Sequence, residues 1–118
     1  MKLFLGLILF VGYIYAATAQ YNRGELLYYS KGCNGCHGSS AEGGGSFPRL
    51  ANKNKNYLIK RLYYFKQGKS SNQMQQMMIP FALKLSDAQI KDLAMYLSEH
   101  KIEETEELSD DLMGGVGS

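Results

Sequence analysis

Apolar side chains recur with helical spacing at two places in the second half of the chain. The first is "NYLIKRLYYFKQGKSS", where the apolar positions i, i+4 and i+7 are Leu58, Leu62 and Phe65. The second follows a capping box formed by Ser86 and Gln89, and its apolar stripe is Ile90, Leu93, Ala94 and Leu97. No stretch of the body of the chain alternates polar and apolar positions with period two. The pattern predicts amphipathic helices and an all-α domain.

Weaker signals predict shorter elements around these two helices. "GELLYYS", residues 24–30, reads as a short helix, and a further short helix is predicted over 72–78, ended by Pro80. The intervening segment from 38 to 55 is dense in Gly, Ser and Asn and is predicted to be loop. The expected architecture is therefore a small bundle of about four to five short helices.

The N-terminal segment "MKLFLGLILFVGYIYAATAQ" has the pattern of an export signal. A positive start is followed by an apolar run from Leu3 to Tyr15 and by the small residues Ala17 and Ala19, which signal peptidase prefers. Residues 1–19 are predicted to be a signal peptide that is cleaved after Ala19. The alternative is an uncleaved membrane anchor, although the apolar run is shorter than the ~20 residues that a spanning helix needs.

Charge divides the rest of the chain into two parts. Residues 20–102 carry 12 basic and five acidic side chains, a formal charge of +7, whereas residues 103–118 carry six acidic side chains and no basic one. The second part also ends in a glycine-rich stretch without aromatic residues. We expect one domain over 20–102 and an acidic, disordered tail over 103–118.

Both cysteines of the chain lie in "SKGCNGCHGSS", as Cys33-x-x-Cys36-His37. This spacing is the haem c attachment signal, in which two thiols bond to the haem vinyl groups and the adjacent histidine ligates iron. A thiol redox pair would favour a βαβ context, and structural zinc would need about four ligands. An ordinary disulfide between such close cysteines would stabilise a fold little. One covalently attached haem c is the prediction.

The residues alone leave the second axial ligand of the iron open. Sulfur and imidazole are the usual partners. The candidates are Met74, Met77, Met78, Met95, Met113 and His100. The cluster "QMQQMMIPFALKL" is the most suggestive, although methionines at this spacing also fill protein cores.

The chain resembles the class I cytochromes c, in particular short bacterial monohaem carriers and the half-domains of their dihaem relatives. The matching stretches are "GELLYYSKGCNGCHG", "FPRLA", "YLIKRLYYFKQGK" and "MMIPFALKLSDAQIKDLAMYL", which together cover roughly residues 24–97. The resemblance implies that the helices wrap around the haem, that Met78 is the axial ligand with Met77 as runner-up, and that the Pro48 carbonyl holds His37. It further implies a close crossing of the first and last helices at Gly24 and Tyr96. For the haem propionates it suggests Arg49, Asn52, Tyr57 and Arg61.

The same resemblance implies a function. With both axial positions filled, the domain would shuttle single electrons in the periplasm and would not be an enzyme. Redox proteins with acidic docking surfaces, including membrane respiratory complexes, are the expected partners, because the body is basic; no nucleic acid or small-molecule substrate is expected. The alternatives are a permanently docked haem subunit of a larger oxidoreductase and, less favoured, a thiol-disulfide oxidoreductase.

Overall fold

The structure is a computed structural model that describes residues 1–102, so the prediction made for 103–118 lies outside the described residues. Within residues 1–102 the secondary structure is helical, with one isolated β-bridge between Gly44 and Phe47 and no strand. The helices are α1 (Lys2–Ser30), α2 (Asn34–His37), α3 (Lys55–Lys66), α4 (Gln73–Gln76), α5 (Ile79–Leu83) and α6 (Asp87–Glu99). The predicted all-α class is confirmed.

Helix α1 is far longer than the short helix predicted over 24–30. It runs without a break from Lys2 to Ser30, because no proline or strong turn signal separates the apolar segment from the body. Its apolar side chains between 3 and 15 are exposed, and its first buried residue is Gly24. By length and composition it is the one described helix that could cross a membrane, a property that N-terminal signal sequences share.

The C-terminal part of α1 packs closely against α6. A β-carbon at Gly24 would overlap the backbone carbonyl of Asp92 and lie 2.7 Å from Cβ of Tyr96, so the crossing requires glycine. Beside it, Nε of Arg23 lies 3.2 Å from Oδ2 of Asp92. The predicted crossing at Gly24 and Tyr96 is therefore present, and it joins the two ends of the domain.

Helices α3 and α6 follow their sequence patterns. The side chain of Asn54 accepts a hydrogen bond from the Tyr57 N–H at the start of α3, and the predicted capping box of Ser86 and Gln89 begins α6. The apolar stripe predicted for α6 is buried, together with Leu58 of α3. The core of the domain lies mainly between α1, α3 and α6.

The segment predicted as one helix over 72–78 is instead divided into α4 and α5. Asn72 caps α4 by accepting from the Gln75 N–H, and Met77 ends it. Pro80 lies in the first turn of α5 and so begins a helix rather than ending one. Proline is tolerated there because its missing N–H would have no partner within the helix. The break between the two helices falls at Met77 and Met78.

Candidate functional site

The two cysteines and the histidine of the attachment signal lie on one helical turn. Cys33 is the N-cap of α2, and its backbone carbonyl accepts from the His37 N–H at 3.0 Å. Residues three apart in a helix share a face, so the thiols of Cys33 and Cys36 lie on the same side, with His37 next to Cys36. The backbone N–H of Cys33 donates to the backbone carbonyl oxygen of Tyr28, near the end of α1, at 3.0 Å. This hydrogen bond attaches the turn to the core.

The imidazole of His37 is held by the loop that follows it. His37 is 6% exposed, and its Nδ1 lies 2.9 Å from the backbone carbonyl oxygen of Pro48. A carbonyl oxygen only accepts hydrogen bonds, so Nδ1 carries the proton and Nε2 keeps its lone pair. This arrangement fixes the tautomer of a histidine that binds a metal through Nε2 and makes it a stronger ligand.

Gly43 lets the loop fold back far enough for this contact. Its φ is +70°, and a β-carbon there would lie 2.6 Å from the backbone N of Arg49 and 2.7 Å from the carbonyl oxygen of Phe47. Its own N–H donates to the His37 carbonyl oxygen at 2.8 Å. The backbones of two loop segments therefore come into direct contact at Gly43, and only glycine permits such a close approach. The position of Pro48 against His37 depends on it.

A cavity of about 500 Å³ opens beside this turn. Cys33, Cys36 and His37 line it, and so do Met74, Met77 and Met78 of the methionine segment. Most of the remaining wall is apolar and includes Leu50, Leu58, Leu62, Phe65, Leu85, Leu93 and Leu97. Cofactor sites are typically apolar clefts of this size with a few well-placed polar groups.

Three methionines reach the cavity. Met74, Met77 and Met78 line it, whereas Met95 and His100, also candidates from the sequence, do not; Met113 lies outside the described residues. Met78 is partly buried at the break between α4 and α5, and Met77 is 50% exposed. The structure thus brings both the favoured methionine and its runner-up to the cavity that His37 also lines.

Of the four residues suggested for the propionates, three line the cavity: Arg49, Tyr57 and Arg61. The Arg61 guanidinium lies over the rings of Tyr64 and Phe65, 4.9 Å and 4.7 Å from their centroids. Asn52 is not brought to the cavity. It occupies a left-handed turn with φ +60°, and its backbone N–H donates to the Leu97 carbonyl oxygen at 2.7 Å.

Sequence reasoning did not single out Tyr28 or Phe47 for the site. Tyr28 is fully buried, lines the cavity and donates its hydroxyl to the Gly38 carbonyl oxygen at 2.5 Å. Phe47 presents its ring edge-on to His37 with 6.3 Å between ring centroids. Burial raises the pKa of the Tyr28 phenol, which therefore stays neutral. The only sequence signal for either residue was its nearness to the attachment signal or to Pro48.

The geometry disfavours the other chemistries of a Cys-x-x-Cys pair. Burial raises the pKa of the Cys33 thiol, whereas a redox-active pair needs a lowered one. The two cysteines form no disulfide with each other, and residues 1–102 contain no cluster of three or more His, Cys, Asp and Glu side chains arranged for a metal. A thiol oxidoreductase or a structural zinc site is therefore poorly supported.

The residues present fit a haem. Two thiols on one face of a turn, an imidazole with a fixed tautomer beside them, and thioethers and basic side chains in the lining of the same apolar cavity match what a covalently bound haem requires. An apolar wall also suits the macrocycle, whose burial would complete a core that is thin for a domain of this size.

Comparison with known proteins agrees with the site. The cytochrome c family profile matches residues 21–101. Cytochrome c-552 of Acidithiobacillus ferridurans is 40% identical over 80 residues, which cover 68% of this chain and 34% of that protein. Cytochrome c4 of Azotobacter vinelandii is 31% identical over 85 residues, covering 70% of this chain and 40% of that protein.

A solved structure of cytochrome c4 from Acidithiobacillus ferrooxidans has the same fold. It superimposes with a TM-score of 0.57 at 35% identity and covers 68% of this chain and 49% of its own. The chain belongs to the cytochrome c family. Membership of this family implies covalently bound haem c with its iron. The chain spans about a third to a half of the length of the relatives it matches.

Proposed function

We propose that the chain is an exported monohaem electron carrier that binds haem through Cys33 and Cys36 and ligates its iron through His37 and Met78. The observation that carries the proposal is the buried imidazole of His37, held at Nδ1 by Pro48 beside two thiols on one helical turn. Met78 lines the same cavity. A saturated iron leaves no open position for a substrate, so the domain transfers electrons and catalyses nothing itself.

The chain's own residues tune the cofactor. When bound, haem c supplies a one-electron couple at its iron. The hydrogen bond from His37 to Pro48 raises the basicity of Nε2, and the thioether of Met78 favours the ferrous state. The apolar leucines of the cavity wall exclude water, and Arg49, Tyr57 and Arg61 supply hydrogen-bond donors for the propionates. Retaining both ligands in each oxidation state keeps rearrangement small.

We assign residues 1–19 to a signal peptide that is removed on export to the periplasm. The side chains from Leu3 to Tyr15 are exposed, and the first residue of α1 that is buried lies beyond Ala19, so cleavage there leaves the core intact. The intact mass of the purified holoprotein tests this assignment. A mass that retains residues 1–19 would show an uncleaved membrane anchor instead.

The partners that we propose are redox proteins with acidic docking surfaces, including membrane respiratory complexes. Lys31, Arg49, Lys53 and Arg61 line the cavity, and a basic surface near the cofactor steers the carrier toward acidic partners. Association rates should therefore fall as salt is raised.

An absorption spectrum of the chain, oxidised and reduced, after expression with a haem-attachment system tests the core of the proposal. Red colour that survives acid-acetone extraction is expected, because thioether bonds hold the haem. A sulfur-to-iron charge-transfer band is expected in the oxidised protein, because Met78 binds the ferric ion. Colour that is extracted, or an oxidised spectrum of an open-coordinate haem, would contradict the assignment.

A second candidate is a haem subunit permanently docked in a larger oxidoreductase. The length comparison favours it, because the relatives contain as much chain again or more beyond the part that matches. Purification of the native protein separates the two candidates. A free carrier elutes alone at the mass of the mature chain, whereas a subunit copurifies with a fixed partner.

A further inference from the structure

We propose that the acidic segment 103–118 binds across the basic edge of the cavity in the same molecule and competes there with acidic redox partners. The four cations that line this cavity are here called the cationic rim, and they are Lys31, Arg49, Lys53 and Arg61. This inference rests on the proposed function in one respect, namely that partners dock at the same edge.

The cationic rim carries four positive charges that no carboxylate of the cavity lining balances. The residues that line the cavity include these four cations and no carboxylate. The one ion pair within residues 1–102 joins Arg23 to Asp92, so no described carboxylate pairs with the rim. The propionates of a bound haem neutralise only part of it, since they number fewer than the four cations. An anionic partner is therefore favoured at this edge.

The described chain ends close in sequence to the wall of the cavity. The backbone N–H of Asn52 donates to the Leu97 carbonyl oxygen at 2.7 Å, which holds the loop containing Lys53 against the end of α6. Leu97 itself lines the cavity, and only four residues separate it from the last described residue, Ile102. The acidic segment thus starts a short distance along the chain from the cavity wall and from the loop that carries Lys53.

Length and charge suit an intramolecular contact. Residues 103–118 carry six acidic and no basic side chains. Sixteen residues reach at most roughly 55 Å when fully extended, more than enough to cross the mouth of a cavity in a domain of this size. A tethered segment is present at a high effective concentration, so weak exposed ion pairs add up to substantial occupancy at low salt. An incoming acidic partner must displace it.

Zero-length carbodiimide cross-linking of the full-length holoprotein, followed by peptide mapping, tests the proposal directly. At about 10 mM salt we expect acidic side chains of 103–118 to couple to Lys31 and Lys53 at least about fivefold more often than to Lys60, Lys84 and Lys91. Those three control lysines are exposed and do not line the cavity. At about 1 M salt the preference should disappear, because the Debye length falls to about 3 Å.

Two further arms make the result decisive. Mixing isotopically light and heavy protein distinguishes cross-links within one molecule from cross-links between two molecules. The proposal would be overturned if most cross-links were intermolecular. It would also be overturned if all five lysines coupled equally. Replacing the six acids by amides, from Glu103→Gln to Asp111→Asn, removes the reactive groups at constant length and should abolish the pattern. The haem spectrum of the same samples tests the proposed function separately, because it does not depend on where the segment binds.

Discussion

The part of the cavity wall around His37 and the part around Met74, Met77 and Met78 are built in different ways. They are called here the histidine side and the methionine side. On the histidine side, the backbone of α2 and the loop after it hold His37 through bonds to Cys33, Gly43 and Pro48. On the methionine side, two short helices meet at a break, and Met74, Met77 and Phe81 remain 44–50% exposed. Backbone hydrogen bonds thus hold His37 in place, whereas the methionines lie where two short helices meet.

The largest expected difference comes from removing each of the two proposed iron ligands in turn. His37→Ala should lower the yield of holoprotein at least about tenfold, because it removes the imidazole whose tautomer Pro48 fixes for binding a metal through Nε2. Met78→Ala should still give red protein with covalently bound haem, but without the sulfur-to-iron band. Haem content per polypeptide and the oxidised spectrum measure the two effects.

Met77→Ala is the matched control for the methionine. It removes the same side chain one position earlier and should leave the sulfur-to-iron band in place. If Met77→Ala loses the band while Met78→Ala keeps it, the ligand is Met77. Equal holoprotein yields for His37→Ala and Met78→Ala would contradict the asymmetry between the two sides.

The α1–α6 crossing supports both sides, so weakening it should affect them alike. Gly24→Ala introduces a methyl group that overlaps the Asp92 backbone carbonyl, so α1 and α6 must move apart. We expect a loss of about 3 kcal/mol in the free energy of unfolding, measured by denaturant titration of the holoprotein. The absorption bands of the native state should be unchanged. A selective loss of the sulfur-to-iron band would contradict this shared role.

Gly43→Ala should act on the histidine side alone. The new β-carbon would meet the backbone at Phe47 and Arg49, and the left-handed φ disfavours any other residue. We expect a loss of about 2 kcal/mol in unfolding free energy and a change in reduction potential, since Pro48 moves away from His37. Gly35→Ala is the control, because nothing lies within 4 Å of its added β-carbon. Equal effects of the two substitutions would contradict a specific role for Gly43.

The histidine side is also the side that the sequence predicts best. The information for Cys33, Cys36 and His37 is local, since all three fall on one turn. The contact of Pro48 with His37 followed from the family resemblance. The helices α3 and α6 were predictable for the same reason, since their apolar spacing and caps lie within each segment. The crossing at Gly24 followed from family resemblance and not from any local pattern.

The features that the sequence did not predict depend on contacts between distant segments. Helix α1 continues through residue 20, which no local signal in the sequence predicts. Pro80 is equally compatible with the end of one helix and with the start of the next. Asn52 was expected near the propionates, but its backbone is committed to Leu97, 45 positions later in the chain. The contribution of Tyr28 to the cavity wall likewise emerges only when the helices are assembled.

The smallest effect that we expect comes from removing a hydrogen bond that supports the methionine side. The ammonium group of Lys66 at the end of α3 donates to the backbone carbonyl of Leu85, which lines the cavity after α5. Lys66→Met keeps the aliphatic stem and removes this bond, so we expect a loss of about 1 kcal/mol in unfolding free energy. The sulfur-to-iron band should weaken at lower temperature than in the unmodified protein, because α5 is less firmly held. Lys60→Met, on the exposed face of the same helix, provides the control. If both variants behave alike, Lys66 does not support the methionine side and the haem alone orders it.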